Sequence, residues 1–280
     1  MRIAIVPAVY NRPDMLVAFF EGYLAQDYSN FEIIVADDGS SAETREVIER
    51  YQKCAAFRID HVWQENTGYR ASTIRNKAVA KANADYIIFT DQDCVPLPDF
   101  VSRHARLAEH GWFVPGNRVL LAQNFTEYAL KKSLPIHNFS FIQWISHWVS
   151  KDINRILPLI KLPANFWRKL HPQRWRGAKT CNLAVWRDDY IRVNGMDESF
   201  TGWGMEDSDL VVRLLRAGVH HKSGRFAAPV LHLWHKESDR SKLEENQRRL
   251  QQVLSATHII AIKGVDQYLK SPSVDGSEAA

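Results

Sequence analysis

A chain of 280 residues with 45% hydrophobic content can fill a globular core, as one large α/β domain or two small ones. Its three cysteines, Cys54, Cys94 and Cys181, are odd in number and far apart, which argues against a disulfide framework and for a reducing compartment. Net charge is only +4, but residues 118–176 carry ten Lys/Arg against Glu127 and Asp152, a local +8 that leaves −4 for the rest; an anionic partner is expected, such as a membrane surface, nucleic acid or a phosphorylated glycan.

The N-terminal run RIAIVPAV has no small-residue cleavage site after it and reads as a strand, not a signal peptide. No stretch approaches ~18 uncharged apolar residues, so no transmembrane helix and a cytoplasmic location are expected. FEIIVADD and DYIIFTDQ are two further apolar runs rich in Ile and Val, as in strands buried on both faces. Between the three runs lie PDMLVAFFEGYLAQ, AETREVIERYQKC and ASTIRNKAVAKANA, each with helical spacing. This alternation predicts a mainly parallel, doubly wound α/β sheet, with ligands beyond the carboxyl ends of the strands. Asp37-Asp38-Gly39-Ser40 and Asp91-Gln92-Asp93 follow directly after strand runs and should meet at one cleft.

Farther along, Phe141, Ile142, Ile145, Trp148, Val149, Ile153, Ile156 and Leu157 recur at helical steps until Pro158 and Pro163 intervene. With the basic residues around it, this segment reads as an interfacial amphipathic helix or as a helix packed on the core with a solvated basic face. After Gly177 the globular pattern returns: TCNLAVWR as a strand, MEDSDLVVRLLRAG as a helix closed by Gly218, APVLHLWH as a short strand, and residues 241–262 as a last helix. The expected division is a first α/β half at 1–115, a basic amphipathic insertion at 116–176, a second half with the last helix at 177–264, and a flexible tail at 265–280.

The chemistry rests on short acidic clusters. In an extended backbone Asp91 and Asp93 point to one side, and two hard oxygen donors suit Mg²⁺ or Mn²⁺, although a solvated strand-end turn has the same pattern. Asp37 and Asp38 fit hydrogen bonds to a ribose or a uracil, or a turn that caps the next helix. Arg70 and Arg75 flank a helix start after Asn66, where a diphosphate would be favoured. In TGWGMED, Trp203, Gly204 and Met205 precede Glu206 and Asp207; Asp207 shares a face with Leu210, Val211 and Leu214, so a tuned general base is one reading and a helix-dipole partner the other. His232 and His235 offer imidazole to a metal, and spacing does not choose between them.

Taken in order, DDGS, N-x-G with a following R-N, DQD, GWGMED and a late HLWH resemble glycosyltransferase family 2 with the GT-A fold, and GWGMED resembles the segment shared with galactosyltransferase and chondroitin-polymerase domains. That resemblance implies a Rossmann-like mixed sheet and a metal-dependent inverting transfer from a UDP-sugar to a glycan or glycolipid, such as lipopolysaccharide core or another cell-surface polysaccharide. It implies that Pro7, Ala8 and Tyr10 line the nucleotide pocket, with Asp38 and the adjacent Asp37 on the nucleoside and Arg75 on the diphosphate. Asp91 would meet the ribose and metal shell. Asp93 and His232 would ligate Mn²⁺ or Mg²⁺, Asp207 would be the base, and Glu206 would bind hydroxyls. Met205 stands where the galactosyltransferase-like pattern often has Gly, which bears on sugar preference. The insertion would contact the acceptor or an anionic membrane surface, with no nucleic acid as partner. A metal-dependent phosphotransferase or nuclease would use the same aspartates, but no G-x-x-x-x-G-K-[ST] loop occurs. A non-enzymatic basic membrane-binding module would leave them idle.

Overall fold

The computed structural model describes residues 1–269 except 164 and 238. Strands β1 (Ile3–Val9), β2 (Phe31–Asp37), β3 (Ile59–Trp63) and β4 (Tyr86–Asp91) run parallel, joined by helices α1 (Pro13–Leu24), α2 (Ala42–Cys54) and α3 (Ala71–Lys81). The short strand β5 (Cys94–Pro96), helix α4 (Phe100–Leu107), strands β6 (Trp112–Pro115) and β7 (Asn117–Leu120), and helices α5 (Gln123–Lys131) and α6 (Phe141–Val149) follow. The chain then forms β8 (Asn182–Trp186), α7 (Arg187–Arg192), α8 (Glu206–Arg216), β9 (His220–His221), β10 (Pro229–His232) and α9 (Leu243–Ser255).

Seven strands form one sheet in the order β3-β2-β1-β4-β8-β6-β9, and β5-β10-β7 form a second. Strand residues alternate between faces. Ile3, Ile5, Ile33 and Ile88 therefore pack under Phe19, Phe20 and Ile48 of α1 and α2. Ala4, Val6, Ile34 and Phe89 pack under Ile74, Ala78, Leu210 and Leu214 of α3 and α8. The doubly wound expectation holds for β1–β4, and β8 is antiparallel to both β4 and β6, so the sheet is mixed, as the resemblance implies. β3 is an edge strand of five residues with mixed burial, which explains why hydrophobic periodicity did not mark it. Two buried polar hubs fasten the second half to the first. Asn76 on α3 donates to Met196 O and Glu198 and accepts from the Tyr190 hydroxyl. Asn182 donates to Asn117 O and Ala228 O.

Four expectations need correction. The segment 116–176 is not a separate insertion throughout, because β7 is a strand of the second sheet and pairs with β10. The helix expected to run to Leu157 ends at Val149. Lys151 takes a left-handed φ of 62°, and Asp152 N–H reaches back to His147 O while Lys151 N–H bonds Trp148 O, a Schellman stop seven residues before Pro158. The last helix ends at Ser255, not Ile262. The tail is ordered at its start: Val265 is fully buried, its N–H bonds Asn194 O, and the Tyr268 hydroxyl bonds Glu198. Residues 270–280 of that tail lie outside the described residues.

The orientation of α6 bears on the reading of the amphipathic segment as a helix packed on the core. Of its nine residues only Trp144 is buried, while Phe141, Ile142, Ile145, Trp148 and Val149 face solvent, Ile142 at 78% exposure. The apolar stripe is on the outside, so a helix packed on the core by that stripe is ruled out.

Candidate active site

The carboxyl ends of β1, β2 and β4 bring the acidic clusters to one edge, as the strand pattern predicts. Asp37 pairs in register with Val9, and Ala8 with Asp91. Asp37 is committed to the turn: it accepts the Ser40 N–H at 2.8 Å and faces His61 Nε2 at 2.8 Å. Asp38 accepts from Gln64 at 2.6 Å and from the Arg70 backbone N–H at 2.6 Å, while burial pushes its carboxyl up. The Arg70 guanidinium instead donates to Glu65 O and pins the 65–70 loop. Tyr10 is exposed, its hydroxyl accepts from Asn66 at 2.8 Å, and its backbone exchanges hydrogen bonds with the Gln92 side chain. Pro7 is buried within β1, opposite Thr90, so it forms the floor.

Arg75, on α3, is 2% exposed and donates to Asp91 at 2.6 Å. Its Nε and Nη1 have no hydrogen-bond partner among the described residues. Buried guanidinium N–H groups without acceptors are costly, and Arg75 lines a cleft of about 720 Å³. A bound anion would supply those acceptors. Asp91 is pushed up to about 6 by enclosure and by the charges of Asp93 and Asp207, against the pull of Arg75.

The extended geometry expected across 91–93 is instead a turn at Gln92–Asp93. Asp91 therefore faces Arg75, whereas Asp93 meets His235 Nε2 at 2.9 Å and His232 Nε2 at 3.6 Å. The two imidazole rings lie 5.3 Å apart. Cys94 shares the cluster with Asp93 and His232, and burial pushes its thiol far up from the ordinary value. A carboxylate with two imidazoles is a donor set that fits Mn²⁺ better than the oxygen-only preference of Mg²⁺. The residues present thus fit a divalent ion, which Asp93, His232 and His235 would hold, with Asp91 beside them.

On the far wall stand Glu206 and Asp207, on the first turn of α8. The approach is shaped by left-handed residues: Gly202, Gly204 and Met205 have φ of 73°, 109° and 73°. A left-handed Met is unfavourable, and Gly would take this conformation without that cost. The helix phase differs from the periodicity argument. Glu206 is the buried one, 6% exposed, and Asp207 is half-buried and accepts from the Thr180 hydroxyl at 2.6 Å. Burial first, then the Asp207 charge, pushes Glu206 up to about 8, so at neutral pH it keeps its proton. The Trp203 ring lines the same cleft, between the cations of Arg240 at 5.1 Å and Lys179 at 5.9 Å.

Two contributors escaped sequence reasoning. Thr180 positions Asp207 from across the cleft. Arg118 on β7 is half-buried, and against the cost of that burial the charges of Asp91 and Asp93 help to hold its guanidinium up. Nothing local marks either residue. The separate cavity of about 550 Å³ beside α1, α2 and α5 touches none of the carboxylates around Arg75 and Asp93.

Fold and site define a class: a mixed α/β sheet whose carboxylates gather at an open cleft. The comparisons agree with it. The glycosyl transferase family 2 profile matches residues 4–160, and the one described as N-terminal domain of galactosyltransferase matches residues 164–236. The chain belongs to glycosyl transferase family 2, which places it among the glycosyltransferases. It is 30% identical over 228 residues to the validoxylamine A glucosyltransferase of Streptomyces hygroscopicus subsp. limoneus, covering 78% of this chain and 48% of that protein. It is 26% identical over 242 residues to the chondroitin synthase of Escherichia coli, covering 79% of this chain and 33% of the other. The chain thus spans half or less of the length of these relatives. S. aureus TarS 1–349 in complex with UDP superposes with a TM-score of 0.62 at 13% identity, over 96% of this chain and 70% of that one. The mannosyltransferase PcManGT of Pyrobaculum calidifontis, in complex with GDP-Man and Mn²⁺, gives 0.60 at 15% identity, over 91% and 63%. These structures share the GT-A fold.

Proposed function

We propose that this chain carries out an inverting transfer of a sugar from a UDP-sugar to a hydroxyl of a cell-surface glycan or glycolipid, with a divalent metal, at the cytoplasmic face of a membrane. The observation that carries the reading is the cleft itself, lined by Arg75 and Asp91 together with Glu206 and Asp207. UDP and UDP-GlcNAc complexes of a similarly folded protein favour a uridine donor.

Asp38, in reach of the Gln64 amide and the Arg70 N–H, would hold the nucleoside end. Arg75 would turn its Nε and Nη1 donors to the diphosphate. A divalent ion held by Asp93 and the histidines would supply charge stabilisation for the departing diphosphate. The acceptor oxygen attacks the anomeric carbon, its proton passes to Asp207, and the anomeric C–O bond breaks with its electron pair leaving on UDP. Attack opposite the leaving group turns an α-linked donor into a β-linked product. Protonated Glu206 would donate a hydrogen bond to a sugar hydroxyl beside the reacting centre.

The exposed stripe of α6 carries the membrane part of the reading. Apolar and aromatic side chains point outward on a segment with a local charge of +8, the combination that binds anionic bilayer surfaces. No helix among the described residues is long and apolar enough to cross a membrane.

The reading is tested by incubating the protein with Mn²⁺, a panel of UDP-sugars and candidate surface-glycan acceptors, with mass-spectrometric detection of hexose, hexosamine or uronic-acid addition. UDP released together with a mass gain on the acceptor is the expected result. No mass gain and no UDP release with any donor would remove it.

A further inference from the structure

The ten basic residues of 118–176 do not act alike. Lys161 pairs with Asp99 and Lys169 with Glu109, and Arg168 is buried and spends its guanidinium on four backbone carbonyls. Four others, Arg118, Arg155, Arg174 and Arg176, converge with Lys179 and Arg225 around a pocket of about 220 Å³. None of its lining residues is acidic. Among the described residues none of these six cations lies in a salt bridge with a carboxylate.

The pocket is assembled, not a chance crowding of surface side chains. Arg118 projects from β7 and is half-buried; Arg155 donates to the Arg118 carbonyl at 2.8 Å; Arg174 turns back on the Arg176 carbonyl at 3.3 Å; Arg225 arrives on the loop before β10. Gly177 holds the turn between Arg176 and Lys179 with a φ of 86°. His221, in the same wall, is pushed down to about 4 by burial and by the charge of Arg174, so it adds no further positive charge near neutral pH. Exposed lone cations contribute little, but several converging like charges repel one another unless an anion comes between them. Arginine forks match the oxygens of phosphate in bidentate fashion.

Position says which anion. The nucleoside end of the cleft lies at β2 and β1, whereas this pocket lies beside β6, β8 and β9, past the other side of β4. It adjoins the cleft containing Asp207, with which it shares Arg118, Arg176, Gly177 and Lys179. We infer that this pocket is an acceptor subsite for a phosphate group carried on the acceptor saccharide, which seats that phosphate while a neighbouring hydroxyl reaches Asp207. The assignment deepens the transfer reading and rests on it.

The test uses the intact protein and residues that line only this pocket, in the variant Arg174→Ala/Arg225→Ala. Binding of UDP with Mn²⁺ is measured first by calorimetry. Glucosamine 6-phosphate and glucosamine are then titrated into the UDP-saturated protein, with phosphatidylglycerol vesicles as a separate arm. The expected result is unchanged UDP affinity in the variant, binding of the sugar phosphate but not of the plain sugar to the parent protein, and about a tenfold loss for each arginine removed. Sugar phosphate that is displaced by UDP would make the pocket part of the donor site and overturn the inference. Equal binding by parent and variant, or no sugar-phosphate binding beside intact UDP binding, would also overturn it. Vesicle binding that needs Arg174 and Arg225 in the absence of sugar-phosphate binding would reassign the pocket to a lipid headgroup. Loss of UDP binding by the parent protein would instead strike the transfer reading itself.

Discussion

The two ends of the cleft are wired in opposite ways. At the end where β1, β2 and β4 finish, each aspartate already has a partner: Asp37 the His61 ring, Asp38 the Gln64 amide, Asp91 the Arg75 guanidinium, Asp93 the His235 ring. At the other end, Arg118, Arg155, Arg174, Arg176 and Arg225 gather in a pocket that no carboxylate lines among the described residues. The first end is preorganised, so a ligand there meets fixed groups and pays little reorganisation. The second end is electrostatically incomplete and is completed by whatever anion arrives. The difference explains why a protein of net charge +4 concentrates its basic character in one region.

The comparison can be broken most sharply at the metal end. Asp93→Ala, or chelation with EDTA, should lower transfer by roughly 10³-fold, since a bound metal contributes several kcal/mol to charge stabilisation. Added Mn²⁺ should restore the chelated protein but not the variant, and circular dichroism should show that the variant is folded. Full transfer in excess EDTA would mean that Asp93 and its histidines form only an ion pair.

A smaller effect is expected on the basic, outward-facing side. Ile142→Ser/Trp148→Ser should cut sedimentation with phosphatidylglycerol vesicles by about tenfold, because both side chains are exposed and their removal costs no core packing. UDP binding should be unchanged. Equal recovery of parent and double variant with the vesicles would take α6 out of membrane contact.

The smallest effect is a change of pH profile. Glu206 sits at about 8 in the folded protein against an ordinary value of 4.5, so it keeps a proton that the unfolded chain loses. Between those values the folded state binds the extra proton, so stability falls as pH rises through the window, and above about 8 the full cost is present. Activity should also fall above about pH 8, as Glu206 loses the proton it donates. Glu206→Gln keeps a donor and cannot ionise; it should flatten both slopes while changing the rate near neutrality by only a few-fold. An alkaline limb that persists in Glu206→Gln would assign that titration elsewhere.

What the sequence made legible follows from the same contrast. Asp37-Asp38, Asp91 and Glu206-Asp207 stand immediately after strands or at a helix start, so strand and helix patterns alone place them at one edge of the sheet. The alternation of β1 to β4 with their helices is equally local. The antiparallel β8 is not, because a short apolar run looks the same in either direction. The apolar residues of α6 gave the correct helix type, but periodicity is blind to which side faces solvent. The turn at Gln92–Asp93, which separates Asp91 from Asp93, has no local signature stronger than Asp itself. The arginine pocket was least legible of all. Arg118 and Arg225 are over a hundred residues apart, and only the pairing of β7 with β10 brings their strands together.

The central claim is that Asp207 takes the acceptor proton opposite the leaving diphosphate. The most direct measurement is the anomeric configuration of the product by NMR, made beside single-turnover kinetics of Asp207→Asn. An α-linked UDP-sugar of the D-series should give a β-linked product, and the variant should bind UDP normally yet transfer about 10²–10⁴-fold more slowly. An α-linked product, or near-normal turnover in Asp207→Asn, would contradict the account.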